Sequence, residues 1–126
     1  MKTLIISFVL VLASSLAFAD KDFDEGKGAR WDCKDDPIVN INHGSGTYTF
    51  VGACTLININ GGSNTVTIEA VDDLNINAGN NKVTVGVVGN INIVGSSNHV
   101  TWKHAKDGDA PGGSIAGTGN KVGKAN

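Results

Sequence analysis

The strongest constraint on this chain is one short pattern that recurs along it. The pattern reads Ile-Asn-Ile-Asn-Gly-Gly-Ser-Asn-Thr-Val-Thr-Ile over residues 57–68, and close copies occupy residues 74–85 and 91–102. Each copy alternates apolar and polar residues on both sides of a Gly- and Asn-rich centre, as two strands joined by a turn do. A unit this short cannot bury an apolar face alone, so the pattern predicts a repeat architecture.

The spacing of the copies is nearly constant. The central asparagines Asn64, Asn81 and Asn98 are 17 residues apart. A degenerate copy centred on Gly46 precedes Asn64 by 18 residues, and another follows with Asn120, 22 residues after Asn98. Five copies are therefore present, and the irregular first and last ones are expected to cap the array.

Five positions counted from the central residue are apolar in nearly every copy. These columns are Val39, Ile57, Leu74 and Ile91; Ile41, Ile59, Ile76, Ile93 and Ile115; Tyr48, Val66, Val83, Val100 and Val122; Phe50, Ile68, Val85 and Trp102; and Ala53, Val71, Val88 and Ala105. Since they alternate with polar positions, as the two faces of a strand do, we predict that they form the core.

The polar positions also match from copy to copy, which discriminates between two architectures. They include the columns Asn40, Asn58, Asn75, Asn92 and Thr49, Thr67, Thr84, Thr101. In a β-solenoid, identical residues stack between parallel strands about 4.8 Å apart, and Asn and Thr ladders gain from that stacking. An antiparallel β-meander or sandwich requires only alternating polarity. The prediction is an all-β, single-domain β-solenoid of about five coils of roughly 17 residues, with the antiparallel arrangement as the alternative.

The N-terminal residues have the layout of a secretory signal peptide. Lys2 precedes an apolar run over residues 4–13, and Ala17-Phe-Ala19 fits a cleavage site. That run is shorter than the roughly 20 residues that cross a bilayer. We predict a signal peptide at 1–19, an acidic flexible lead-in at 20–36 and a β-repeat domain at 37–126. The protein would then be periplasmic or secreted, with no membrane span after cleavage.

The two cysteines, Cys33 and Cys54, are the only ones in the chain. Because an exported protein meets an oxidising environment, they are predicted to form a disulfide. A bridge closing a loop of about 20 residues would stabilise the fold by about 3 kcal/mol.

Charge excludes one class of partner. The chain has a net charge of −2, and Arg30 is its only arginine. Acidic residues crowd the segment 20–36, whereas five acids and five lysines balance each other after Pro37. Nucleic-acid binding normally needs a basic stripe, and the sequence has none, so no nucleic-acid partner is expected.

The units Gly-Gly-Ser-Asn-Thr-Val-Thr-Ile and Gly-Asn-Asn-Lys-Val-Thr-Val resemble those of a bacterial secreted family catalogued as domain of unknown function 3060. Short Gly-x-x-Asn-x-Val repeats behind a signal peptide are typical of that family, and the resemblance covers about residues 39–122. It implies an exported β-repeat protein and provides no catalytic residues.

Candidate chemistry in the repeats is sparse. Glu69, Asp72 and Asp73 lie close in sequence, as in enzymes that cleave polysaccharides with two carboxylates, but no arginine or histidine in that unit assists them. We therefore expect no enzyme activity and no catalytic residues.

Metal and cofactor sites are not expected either. His43, His99 and His104 fall in three different columns, so they would not converge on one ion. Asp107 and Asp109 provide too few oxygens for a calcium site, which wants six or more.

The repeated polar columns are the candidate binding face: Thr49, Thr65, Thr67, Thr84, Thr101, Asn58, Asn75 and Asn92. Their amides and hydroxyls donate and accept hydrogen bonds, as sugar hydroxyls require. We therefore expect a non-enzymatic protein that binds a glycan or other cell-envelope or extracellular polymer. The first alternative is a purely structural or self-assembling subunit, and the less favoured ones are a polysaccharide-active enzyme and an ice-binding protein. Lys82 and His99 would interrupt the threonine ladder that an ice-binding protein requires.

Overall fold

The computed structural model describes residues 20–126, so the predicted signal peptide at 1–19 lies outside the described residues. Within the described range the chain forms strands and no helix. The strands are β1 (Lys21–Phe23), β2 (Ala29–Asp32), β3 (Ile38–Ile41), β4 (Thr47–Ile59), β5 (Thr65–Ile76), β6 (Lys82–Val94), β7 (His99–Ala105), β8 (Ile115–Ala116) and β9 (Lys121–Lys124). All of the strand pairs among them are parallel. The β-solenoid is confirmed, and the antiparallel alternative is wrong.

Register in the stack follows the sequence repeat. Ile59 on β4 pairs with Ile76 on β5, which pairs with Ile93 on β6. The paired residues of β5 and β6 have a constant offset, since Thr65 pairs with Lys82. Identical side chains therefore lie above one another on successive coils, and the array contains about five coils of roughly 17 residues.

The predicted core columns are buried along most of the stack. Side chains such as Ile57, Leu74 and Val85 have no exposed surface. The column ends differ, because no further coil covers them: Ile115 is 52% exposed, and Val122 is only partly buried. The prediction for Ile115 is therefore wrong.

In the core column predicted to contain Ala53, Val71, Val88 and Ala105, the first member is displaced by one residue along the chain. Ala53 is exposed, and Cys54 occupies the core position instead, paired with Val71. The cause is a bulge in β4 between Phe50 and Ala53, where Gly52 adopts a positive φ of 78°. A bulge inserts one extra residue into a strand. That residue also accounts for the longer first step of the repeat.

The segment 20–36 is a further coil and not a flexible lead-in, so that prediction is wrong. Its strand β1 pairs with β3, and β2 pairs with β4. Phe23 lies in the column of Ile41 and packs on Tyr48, with 5.4 Å between their ring centroids. Trp31 lies in the column of Phe50, so two aromatic side chains extend the core by one coil.

Tyr48 is held at the junction between this coil and the next. Its hydroxyl donates a 3.2 Å hydrogen bond to the carbonyl oxygen of Glu25, and burial raises the pKa of the phenol. The phenol therefore stays protonated and continues to donate this bond through the neutral pH range.

Cys33 and Cys54 form the predicted disulfide between the first two coils. Their Cα atoms are 5.1 Å apart, and both side chains are buried. No free cysteine remains among residues 20–126. The bond attaches the end of the first coil to the part of β4 that follows the bulge.

We expect the natively folded protein to contain this disulfide quantitatively, because burial protects it from reductants. Mass spectrometry without reductant should give a mass lower by two hydrogen atoms than that of the reduced chain. Alkylation of two thiols in unreduced, natively folded protein would contradict the assignment.

A lysine occupies a core column at each end of the stack. Lys21 lies in the column of Val39, with its Nζ 4.7 Å from the ring centroid of Trp31. Lys124 lies in the column of Trp102, with its Nζ 5.7 Å from that ring. Inward-pointing charges on terminal strands oppose edge-to-edge pairing. These two lysines therefore disfavour end-to-end association of copies.

Candidate binding face

Three asparagines that the repeat places at its turns are buried: Asn64, Asn81 and Asn98. The Oδ1 of each accepts a hydrogen bond from a backbone amide one coil earlier. The donors are the amides of Gly46 (2.9 Å), Asn64 (3.0 Å) and Asn81 (3.0 Å). The side chains therefore replace the strand pairing that is interrupted at the turn.

The same asparagines hold the turn backbone through their Nδ2 groups. Asn64 donates to the carbonyl of His43 at 2.9 Å, and Asn98 donates to that of Ala78 at 2.8 Å. The residue before each buried asparagine has a left-handed backbone, with φ of 60° at Ser63 and Ser97. That conformation is uncommon outside glycine, and these bonds help to hold it. The column is structural, and its burial was not foreseen from the sequence.

A second asparagine column runs along the outside of β3 to β6. Asn58 donates from Nδ2 to Oδ1 of Asn40 at 2.8 Å, Asn75 donates to Asn58 at 3.1 Å, and Asn92 donates to Asn75 at 3.0 Å. The structure thus brings the predicted residues Asn58, Asn75 and Asn92 into one half-buried row. Each amide in the row is bound to the next, so part of its hydrogen-bonding capacity is used within the stack.

This ladder ends on a carboxylate in the first coil. Asn40 donates to Asp22 at 2.9 Å. A second ladder beside it, in which Asn77 donates to Asn60 and Asn60 to Asn42, ends where Asn42 donates to Asp24 at 2.9 Å. A carboxylate only accepts hydrogen bonds, so it suits the end of a row of amides that all donate in one direction. Bonds to an ionised acceptor are also stronger, and polarisation along the row adds to this. The outer asparagines therefore stabilise the stack.

The threonines are arranged differently. Thr49, Thr67, Thr84 and Thr101 pair in register across β4, β5, β6 and β7, and form one outward row. A neighbouring row, two residues earlier on each strand, contains Thr47, Thr65, Lys82, His99 and Lys121. We call these two rows together the threonine face. The structure brings all five predicted threonines onto it.

Hydroxyls on the threonine face are free for a partner. Thr65 and Thr67 are exposed, and Thr84 is half-buried. Whereas the asparagine amides bond one another, no side-chain bond in the part of the chain that the structure describes uses these hydroxyls. Of the two predicted sets, the threonines therefore present side chains with no hydrogen bond to the rest of the protein, spaced about 4.8 Å apart along the stack, whereas each asparagine amide already uses part of its capacity within its row.

The carboxylates that the sequence grouped together each have a separate partner. Glu69 accepts a 2.8 Å hydrogen bond from the amide of Gly52 in the bulge. Asp72 accepts one from Nζ of Lys106 at 2.6 Å, and this bond raises the pKa of Lys106. Asp73 accepts from Nδ2 of Asn90 at 2.8 Å. Each of the three acids is therefore used in a contact between coils.

The three histidines lie apart from one another in the structure. His43 lies at a turn, His99 on the threonine face, and His104 further along β7. In residues 20–126, no group of three or more His, Cys, Asp or Glu side chains is placed to hold a metal ion.

A cavity of about 310 Å³ opens at the C-terminal end of the stack. It is lined mainly by apolar groups, among them Ile91, Trp102, Pro111, Ile115 and Val122. It lies where the core columns end without a covering coil, which explains its composition. Lys124 is the one ionisable side chain in its lining, so the cavity carries no acid–base pair.

Comparison of the chain with known protein families, with curated proteins and with solved structures finds no match. The resemblance to the family of unknown function therefore stays an expectation from the repeat motif. Over residues 20–126, we find no helix with the length and apolar character required to cross a membrane.

Proposed function

We propose that this protein is an exported, non-enzymatic β-solenoid that binds a cell-envelope or extracellular polymer, such as a glycan, through its threonine face. The observation that carries the proposal is the contrast between the two polar faces. The outer asparagines are bonded to one another, while the threonine hydroxyls repeat along the stack without a partner. Regularly spaced free hydroxyls match a partner whose own groups repeat.

Export is the second part of the proposal. Two observations support it: the N-terminal sequence has a signal-peptide layout, and Cys33 is bonded to Cys54. Disulfides persist in oxidising compartments and are rare in the cytosol. The partner should therefore be a polymer of the periplasm, the cell surface or the medium.

The proposal is tested by pull-down of the mature protein on peptidoglycan and on insoluble polysaccharides. We expect the double variant Thr67→Val and Thr84→Val to bind about tenfold more weakly, because two hydrogen bonds of about 0.5–1.5 kcal/mol each are removed. Valine has the shape of threonine and favours strands, so the fold should be unchanged.

The matched control is Thr55→Val, which removes an exposed hydroxyl from β4 outside the threonine face. It should bind as the wild type does. Equal binding by the double variant and the wild type would rule out the threonine face as the site. Failure of the wild type to bind any of these polymers would favour a purely structural role.

A further inference from the structure

The threonine face is not uniform along the stack. Lys82, His99 and Lys121 lie above one another in its first row, on β6, β7 and β9. Lys103 lies on β7 two residues after Thr101, and so points to the same side. All four side chains are exposed. Lys82 and His99 interrupt the threonine ladder, and both belong to one row because each directly follows the central asparagine of its copy, Asn81 or Asn98.

The three lysines on this side, Lys82, Lys103 and Lys121, have no acidic partner among residues 20–126. The salt bridges in the described part of the chain involve Lys27, Lys34 and Lys106, and none involves a lysine of the threonine face. The nearest acid in register with Lys103 is Glu69, two coils earlier, and it is bound to the amide of Gly52. The last three coils of the face are thus positive, whereas the rows on β4 and β5 contain only threonines.

We propose that the polymer bound by the threonine face is an anionic polysaccharide, and that Lys82, Lys103 and Lys121 contact its charged groups. This inference rests on the proposed function and specifies its ligand class. Lys82 and Lys121 lie in one row two rungs, or about 9.6 Å, apart, and Lys103 lies on the strand between them, about 13 Å further along it. Several charges can therefore act together on a polymer with repeated charges. Thr84 and Thr101 lie beside them and bind the sugar hydroxyls between those charges.

A polysaccharide fits this face better than a nucleic acid. Proteins that bind single strands combine a positive groove with aromatic side chains on which the bases stack. The rows of the threonine face contain no tryptophan, tyrosine or phenylalanine. The single arginine, Arg30 on β2, is in register with Thr49 at the opposite end of the stack, three rungs from Thr84. Threonine hydroxyls between lysines instead match hydroxyls between acidic groups.

The test compares polygalacturonate with its fully methyl-esterified form, which has the same backbone without the charges. We expect the wild type to bind polygalacturonate about tenfold more tightly, and this preference to disappear in about 0.5 M NaCl, because salt screens exposed charges. The double variant Lys82→Thr and Lys121→Thr extends the threonine row and should fold as the wild type does. It should bind polygalacturonate about three- to tenfold more weakly, as expected for two exposed charge contacts.

The matched control is Lys27→Thr with Lys34→Thr, which makes the same change in net charge at exposed positions of the first coil. It should retain wild-type affinity. Equal loss in this control would show that only the net charge matters, and would overturn the inference. So would equal, salt-insensitive binding of the two polymers, or tighter binding to double-stranded DNA than to polygalacturonate through the same lysines.

The ligand class and the proposed function fail separately. If polygalacturonate is not bound but a neutral polysaccharide or peptidoglycan is, the anionic ligand is wrong and polymer binding stands. If no polymer is bound at all, both are wrong.

Discussion

Ile76→Ala is expected to lower the free energy of unfolding by about 2–5 kcal/mol, the usual cost of a buried isoleucine-to-alanine change. Ile76 is fully buried in the middle of the stack and lies between Ile59 and Ile93 in register. Its removal leaves a cavity that both neighbouring coils border, and the regular strands leave little freedom to close it. Urea unfolding followed by circular dichroism would measure the change.

The matched control is Val94→Ala, at an aliphatic side chain that is 64% exposed near the end of β6. This variant should change stability by less than about 0.5 kcal/mol. Similar losses in the two variants would contradict the core assignment.

Asn81→Ala is expected to cost about 2–4 kcal/mol, although asparagine is a polar residue. The Oδ1 of Asn81 accepts the hydrogen bond of the buried Asn64 amide, and its Nδ2 donates to Asn98 at 3.2 Å. Alanine would leave that amide without a partner, and an unsatisfied buried group costs about 1–3 kcal/mol beyond the lost bond. Denaturant unfolding gives the loss, and hydrogen exchange should be faster at the Asn64 amide.

Asn77→Ala is the control, because Asn77 donates a hydrogen bond of similar length, 3.0 Å to Asn60, on the exposed surface. Water replaces that bond, so we expect a loss below about 1 kcal/mol. If Asn77→Ala were as costly as Asn81→Ala, the buried ladder would have no special role.

The repeat predicted most of the fold because identical columns leave few ways to stack the units. It placed Ile59, Ile76 and Ile93 in one buried column and Thr67, Thr84 and Thr101 in one outward row, as the structure has them. Parallel register also followed from the repetition of outward positions, which an antiparallel sheet would not require.

What the sequence did not predict depends on local geometry. The extra residue of the β4 bulge shifts the core from Ala53 to Cys54, and the spacing shows only that a residue is added. The first coil was missed because Lys21 replaces the apolar residue of its column, and Asp22 the asparagine. Ile115 follows the core pattern and is nevertheless exposed, since no coil lies beyond it.

The sequence predicted which residues form the two polar rows of the candidate site, but not that the two rows have different roles. A column of asparagines and a column of threonines look equally available in the sequence. The two columns differ in the length of their side chains. The amide of Asn75 is long enough to contact that of Asn58 on the next coil, and an amide both donates and accepts hydrogen bonds. A threonine hydroxyl is shorter and stays free for solvent or a partner.

The constant offset between β5 and β6 has a consequence for how such a protein changes its length. Thr65 to Asn81 and Lys82 to Asn98 form successive units in the same register, and each binds its neighbours through the same contacts. An in-frame duplication or deletion of one such unit would leave both end coils, with Lys21 and Lys124, unaltered. The rod would lengthen or shorten by one rung of about 4.8 Å, and a face that binds a repeating polymer would gain or lose one contact step. A change in the number of units, more than a point substitution, would therefore change the length of the binding face and its avidity for a polymer.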